Sequence, residues 1–377
     1  MLRSSPPGAP PGSTSSKHSS TNNDKAARAR VRAATVTSMD RDLLEQTLTE
    51  LGQPPYRAKQ VWEHACAGAG SYEEMSSLPK SLRSELTERV PFSTLSLEQQ
   101  FEARDGTVKA LFRTHDEHPV ESVLMRYRDG RRSVCISSQS GCPLKCAFCA
   151  SGQMGFRRNL SAWEIFDQAL YFRHIEQVNH GALMGMGEPL MNLEAVLTAI
   201  RAFPELGIGH RHTSVSTAGW VPGIDKLAAE DLPVRLALSL HAPDDELREK
   251  LMPVTARFPI AEVIAACEHF YARRRRKVLV EYLMLAGVND HPEQARALVH
   301  LLDPGRFKLN LIPYNEADNG RGDGRGAFSG SSRAVIYSFR QTLAKAGLEA
   351  TVRVARGREI DAACGQLAGA AGTAART

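Results

Sequence analysis

Three cysteines, Cys142, Cys146 and Cys149, stand in the run GCPLKCAFCASGQMGF with the spacing C-x3-C-x2-C. Cysteine thiolates hold iron–sulfur clusters, usually four to a cubane. No fourth cysteine lies close in sequence, so the triplet predicts a 4Fe–4S cluster with one iron left open to bind a reacting molecule. The competing assignment is a structural zinc ion, which takes four nitrogen or sulfur ligands in paired groups. No such partner pair accompanies the triplet, and the cluster is the better match.

A second group of residues stands in ALMGMGEPL, residues 182–190. Gly185 and Gly187 allow close backbone approach, Pro189 fixes a turn, and Glu188 offers a carboxylate. Alone the pattern is weak, since Gly- and Pro-containing turns are common. Two further cysteines lie outside the triplet. Cys135 stands seven residues before Cys142, and Cys364 lies in RGREIDAACGQLAG. Free cysteines are often simply buried, and both are open to that reading. Their placement, at a strand end and in a Gly- and acid-containing segment, also suits nucleophilic chemistry. Cys66 and Cys267 fall on apolar helix faces and read as structural.

These residues need a scaffold, and the pattern from about residue 131 supplies one. Strand-like runs RSVCISS, ALMGMG, TSVST, RLALSLH, VLVEYLML and FKLNLIP alternate with helical stretches near 161–178, 193–203, 222–230, 244–251, 260–275 and 291–302. A further helix near 331–347 follows. Strand–helix alternation predicts a parallel sheet with right-handed crossovers, here an α/β partial (β/α)6 barrel spanning 131–370. In such barrels chemistry sits at the C-terminal strand ends, where the loop after the first strand carries the triplet. Residues 39–95 read as a small helical domain and 96–130 as a β-rich connector. The Gly-rich stretch 316–332 reads as a loop at the barrel mouth.

The 377 residues are 42% hydrophobic and 24% charged, ordinary for a globular protein. No apolar run reaches the length of a membrane span. The net charge of +5 permits an RNA partner without requiring one. Clustered cysteines do not form a secreted disulfide framework, and a cluster with free thiols needs a reducing compartment, which predicts a cytoplasmic protein. Residues 1–38 are rich in Ser, Pro and Gly and predict a disordered tail, with Met39 a plausible start.

From about residue 40 to 370 the chain resembles the RlmN/Cfr family of radical S-adenosylmethionine (SAM) enzymes. The matching text includes YRAKQVWE, SSQSGCPLKCAFC, GQMGFRRNL, MGMGEPL, VSTAG, SLHAPDDELREKLMP, GVND, NLIPYN and IDAACGQLAG. The resemblance implies that Cys142, Cys146 and Cys149 hold a 4Fe–4S cluster whose open iron chelates SAM. It implies SAM contacts at Gly187, Glu188, Ser216, Ser239, Leu240, His241 and Asn315. It further implies that Cys364 is methylated by a first SAM and that a second SAM yields a 5′-deoxyadenosyl radical, two SAM per turnover. The radical takes hydrogen from the S-methyl group, and the methylene adds to C2 of adenosine 2503 in 23S rRNA, with C2 of adenosine 37 in tRNA a second target. Cys135 then forms a disulfide with Cys364 to free the product. Glu121 matches the family's proton acceptor, although by itself it reads as a solvated strand glutamate. A flavodoxin or ferredoxin system would supply electrons, and a monomer is expected.

The alternatives are Cfr-like methylation at C8 and a non-catalytic iron–sulfur RNA-binding protein. Residues 216–219 read STAG, with Ala218 where Ser or Val is frequent. The helical domain resembles an RNA-holding accessory domain, with Arg57, Lys59 and Lys80 as candidate phosphate contacts. The basic run ARRRRK, 272–277, reads either as a phosphate contact or as a solvated helix end favoured by the dipole.

Overall fold

A computed structural model describes residues 40–314, 328–354 and 356–367. The expected tail 1–38, the start at Met39, the SAM contact Asn315 and most of the Gly-rich stretch lie outside the described residues.

Asp40 opens the first helix, α1 (Arg41–Glu50), by accepting from the backbone N–H groups of Asp42 and Leu43. Helix α2 (Tyr56–Ala67) ends on Gly68, and α3 (Lys80–Arg89) comes next. Their apolar positions recur at helical spacing: Leu44 and Leu48, Trp62 and Cys66, Leu82 and Leu86 are all buried. These stripes join the same continuous core as the barrel.

Strands β1 (Leu95–Glu102), β2 (Val108–Thr114), β3 (Pro119–Arg126) and β4 (Arg132–Cys135) form an antiparallel meander. Short strands β5 (Gln139–Ser140) and β6 (Arg158–Asn159) pair across the cysteine loop, which also holds α4 (Ala150–Met154). The alternation then runs α5 (Ala162–Ile175), β7 (His180–Leu183), α6 (Leu193–Ala202), β8 (Thr213–Thr217), α7 (Val221–Ala229), β9 (Arg235–Ser239), α8 (Asp245–Leu251), α9 (Ile260–Arg274), β10 (Val278–Met284), α10 (Pro292–Leu301), β11 (Phe307–Pro313), α11 (Arg333–Lys345) and β12 (Ala350–Val352).

All long strands belong to one ten-stranded sheet in the order β1-β2-β3-β4-β7-β8-β9-β10-β11-β12. From β4 to β12 neighbouring strands are parallel. The six anticipated strands are β4 and β7 to β11, and the partial barrel is the observed fold. The connector strands extend that sheet through β3–β4 pairing. Strand β12 was not anticipated. It is three residues long and, among the described residues, pairs with β11 alone, so its sequence carries little pattern, yet it delivers Arg353 to the barrel mouth. Residues at the C-terminal ends of β4 and β7 to β11 all emerge on one face, and the cysteine loop leaves β4 there.

Candidate active site

The cysteine loop is shaped by backbone that only glycine permits at its start. Gly141 has φ +74°, and a Cβ there would lie 1.7 Å from the Gly155 carbonyl oxygen. The loop is tied to two neighbours: Ala147 N–H donates to Leu251 O at 2.9 Å, and Ala150 N–H to Gly365 O at 2.9 Å. Cys142 and Cys146 are buried and Cys149 is half-buried. Their thiols rim a cleft of about 840 Å³ that also meets Gly187, Glu188, Ser216, Ser239 and His241. Burial pushes the Cys142 thiol up to about 12 and raises Cys146 and Cys149 as well. Thiolates in this setting require bound cations, which irons supply. Among the described residues no three His, Cys, Asp or Glu side chains close on a single-ion site. Three thiols around a cleft suit a cubane, whose irons occupy separate corners.

The strand ends build the rest of the cleft. Gly187 has φ +100°, and a Cβ would meet Gln139 at 2.6 Å. This close approach lets Glu188 N–H donate to Gln139 Oε1 at 2.8 Å. The Glu188 carboxylate accepts from Ala218 N–H at 2.8 Å and Leu190 N–H at 3.1 Å. Burial nonetheless lifts its pKa to about 7, so an incoming ammonium group would find a carboxylate that binding can ionise. Ser216 Oγ donates to Leu183 O at 2.7 Å. His241 sits at φ +61° with Nδ1 accepting from Leu283 N–H at 3.0 Å. Burial drops its pKa to about 3, so the ring is neutral with its proton on Nε2. The side chain of Leu240 lies in the core and not along the cleft, which leaves only its backbone near the site.

Beneath these ends lies Arg248, fully buried on α8, which sequence reasoning did not single out. Its guanidinium donates to Leu240 O (3.1 Å), Ala218 O (2.6 Å), Ser239 O (3.2 Å) and Thr255 Oγ1 (2.9 Å). It fastens the ends of β8 and β9 together. It stood inside the matching run SLHAPDDELREKLMP, but its local stretch DELREKL has the ordinary composition of a surface helix.

A second cavity of about 680 Å³ adjoins the cleft, and Cys135 and Cys364 both line it. Cys364 and Cys149 line both cavities. Both Cys135 and Cys364 are free thiols. Burial, followed by the Cys364 charge, pushes Cys135 up to about 12. Arg353 lines both cavities too, and its pKa is raised, chiefly by its proximity to Cys364 and then Glu281, against its burial. Arg353 and Glu281 are cleft residues that the sequence did not flag. The segment bearing Cys364 is pinned from two sides. On one, Ala150 N–H and Ser151 Oγ donate to the carbonyls of Gly365 and Leu367. On the other, Gly357 N–H donates to Asp105 Oδ2 and Arg104 N–H to Glu359 Oε1, both from the β1–β2 hairpin.

Glu121 is buried on β3 and ion-paired with Lys109 at 3.2 Å, rather than solvated, and it does not line either cavity. Cys66 and Cys267 are buried, in keeping with structural roles. Among the candidate phosphate contacts, Arg57 donates to Gln60 and exposed Lys59 pairs with Glu63. The basic run lies at the N-terminal end of β10, opposite the cleft. There Arg276 and Lys277 donate to the carbonyls of Arg211 and Pro304, which makes it a helix terminus tied to the barrel floor.

A three-thiol loop at the C-terminal end of a parallel barrel, beside a buried Gly-x-Gly-Glu-Pro turn, defines a radical-SAM protein. Residues 136–299 match the family described as the radical SAM superfamily, and residues 35–91 match the ribosomal RNA large subunit methyltransferase N-terminal domain. A radical SAM methyltransferase from Sphaerobacter thermophilus has a similar crystal structure, with TM-score 0.80 and 41% identity over 88% of this chain and 97% of that one. The probable dual-specificity RNA methyltransferase RlmN of Salinispora tropica is 46% identical, covering 87% of this chain and 91% of its own. That of Thermus thermophilus is 43% identical over 86% and 92%. The chain belongs to the RlmN family of radical-SAM RNA methyltransferases.

Proposed function

We propose that the protein methylates C2 of adenosine 2503 in 23S rRNA and C2 of adenosine 37 in tRNA. The observation that carries this reading is Cys364, one thiol shared between the cleft of the cysteine triplet and the cavity of Cys135. Cys142, Cys146 and Cys149 would hold a 4Fe–4S cluster, with SAM held by Gly187, Glu188, Ser216, Ser239, His241, Asn315 and the backbone of Leu240. Cluster and SAM together supply a 5′-deoxyadenosyl radical.

The later steps belong to the chain's own residues. Cys364 carries a methyl group taken from one of two SAM molecules used per turnover. It yields a hydrogen atom from that group, and its methylene bonds to C2. The adduct formed this way carries one electron too many for a closed-shell product; that electron would pass to the cluster held by the cysteine triplet as Glu121 takes the C2 proton. Cys135 forms an S–S bond with Cys364 as the S–CH2 bond breaks, and the methylene gains a proton to complete the new methyl group. A reducing partner of flavodoxin or ferredoxin type reopens the disulfide. Free thiols and a cluster suit a reducing compartment, so we place the enzyme in the cytoplasm and expect a monomer.

The test is reconstituted protein with SAM, reductant and RNA, its product separated against C2- and C8-methyladenosine standards. C2-methyladenosine is expected, together with a covalent RNA adduct through Cys364 in Cys135→Ala alone. C8-methyladenosine would assign the Cfr-like reaction, and unmodified RNA would overturn both.

A further inference from the structure

Strands β2 and β3 pair with Leu111 opposite Glu121 and Lys109 opposite Val123. Alternation along a strand puts Lys109, Glu121, Val123 and Met125 on one face. On it, Lys109 Nζ lies 3.2 Å from Glu121 Oε1 and 3.3 Å from the carbonyl oxygen of Asp361. The two charged side chains are only 4% and 5% exposed. A third neighbour, the Phe101 ring from β1, has its centre 5.5 Å from the ammonium.

A buried ion pair is seldom more stable than apolar residues of the same size. This one sits where the strand could carry a Val or Leu, so stability does not explain it. Its surroundings point elsewhere. Val123, Met125, Cys135, Met186, Ala362 and Leu367 pack into one small apolar cluster beside the pair. All but Val123 and Met186 line the cavity shared by Cys135 and Cys364. Asp361, which takes the second hydrogen bond of Lys109, stands three residues before Cys364 at φ +52°.

We propose that Lys109 is a positioning residue for methyl transfer. Its ammonium, anchored on the Asp361 carbonyl, aims the Glu121 carboxylate as the proton acceptor. The proposal rests on the reading of Glu121 given under the proposed function. The geometry suits a group that must take up a proton while buried. Once Glu121 is neutral, the ammonium still bonds the Asp361 carbonyl and is not stranded.

The experiment is a double-mutant cycle on the full reconstituted chain, reading turnover to methyladenosine. Lys109→Met and Glu121→Gln should each lower turnover by roughly 100-fold, the scale of a lost general base. The double variant should match Glu121→Gln within about threefold, because Lys109 acts through Glu121. Lys109→Arg should recover most of the loss. In the Cys135→Ala background, Lys109→Met should still form the RNA adduct, since that bond forms before the proton leaves and Ala150 and Ser151 hold the segment from the other side. Losses that multiply, or an adduct that vanishes together with turnover, would overturn the proposal. Where Lys109→Met alone does not fold, the double variant, which buries no lone charge, decides the question against Glu121→Gln. A wild type that makes product while the losses multiply sinks only this proposal. A wild type that makes none sinks the functional reading beneath it.

Discussion

At the scale of single residues, the cleft is a set of polar groups held in unfavourable surroundings. Glu188 is the clearest case. Its folded value, about 7, lies above the ordinary 4.5 because burial penalises the charged form. The folded state therefore holds that proton more tightly than the unfolded chain. The associated stability is fully present below pH 4.5 and is lost as pH rises through about 7. Glu188→Gln cannot ionise, so relative to wild type it should gain on going from pH 5 to pH 8, by at most roughly 3 kcal/mol. Melting curves of the ligand-free proteins at the two pH values check this. The same variant should bind SAM more weakly, since it lacks the charge that meets an ammonium group. An equal difference at both pH values would show that Glu188 is already ionised in the free protein.

At the scale of elements, the site is held by ties between consecutive loops rather than by any one helix. Arg248 is the principal tie, binding carbonyls after β8 and β9 from a helix that comes later in the chain than both. Removing it takes a donor from the buried Ala218, Ser239 and Leu240 carbonyls, of which Leu240 O keeps the Ala242 N–H, and each carbonyl left unsatisfied costs about 1–3 kcal/mol. Arg248→Met should therefore cost on the order of 3–5 kcal/mol in a denaturant titration. The loss should reach the cleft, because Ala218 both accepts from Arg248 and donates to Glu188. The β1–β2 hairpin plays a comparable part for the Cys364 segment, with Arg104 donating to it and Asp105 accepting from it.

At the scale of the whole molecule, the helical domain docks on the barrel around the aromatic anchor Trp62. Trp62 packs against Trp163 and Phe166, with ring centres 5.2 Å and 5.0 Å away. Its indole N–H donates to Glu205, which also meets Arg41 at 3.5 Å and the Cys66 thiol. Glu205→Ala leaves a buried indole donor unpaired. It should cost about 1–3 kcal/mol and speed proteolysis between α3 and β1, read by timed digestion. Unchanged digestion would mean that the aromatic contacts, with the Trp163–Asp42 and His174–Ala65 hydrogen bonds, hold the domain without Glu205.

The sequence by itself determined what depends on short spacing. The triplet Cys142, Cys146 and Cys149, the turn around Glu188, the six barrel strands and the end of the sheet on which they meet are all set by residues close together along the chain. Their local patterns carry strong backbone and coordination preferences. The tertiary structure alone decided what depends on distant partners. Lys109 meets Asp361 across 252 residues, and no local pattern marks either. Arg248 is buried in a helix whose composition reads as exposed. Strand β12 is too short to announce itself, and it exists because β11 offers a free edge. Glu121 read alone as a solvated glutamate because burial is a property of the sheet, not of the strand.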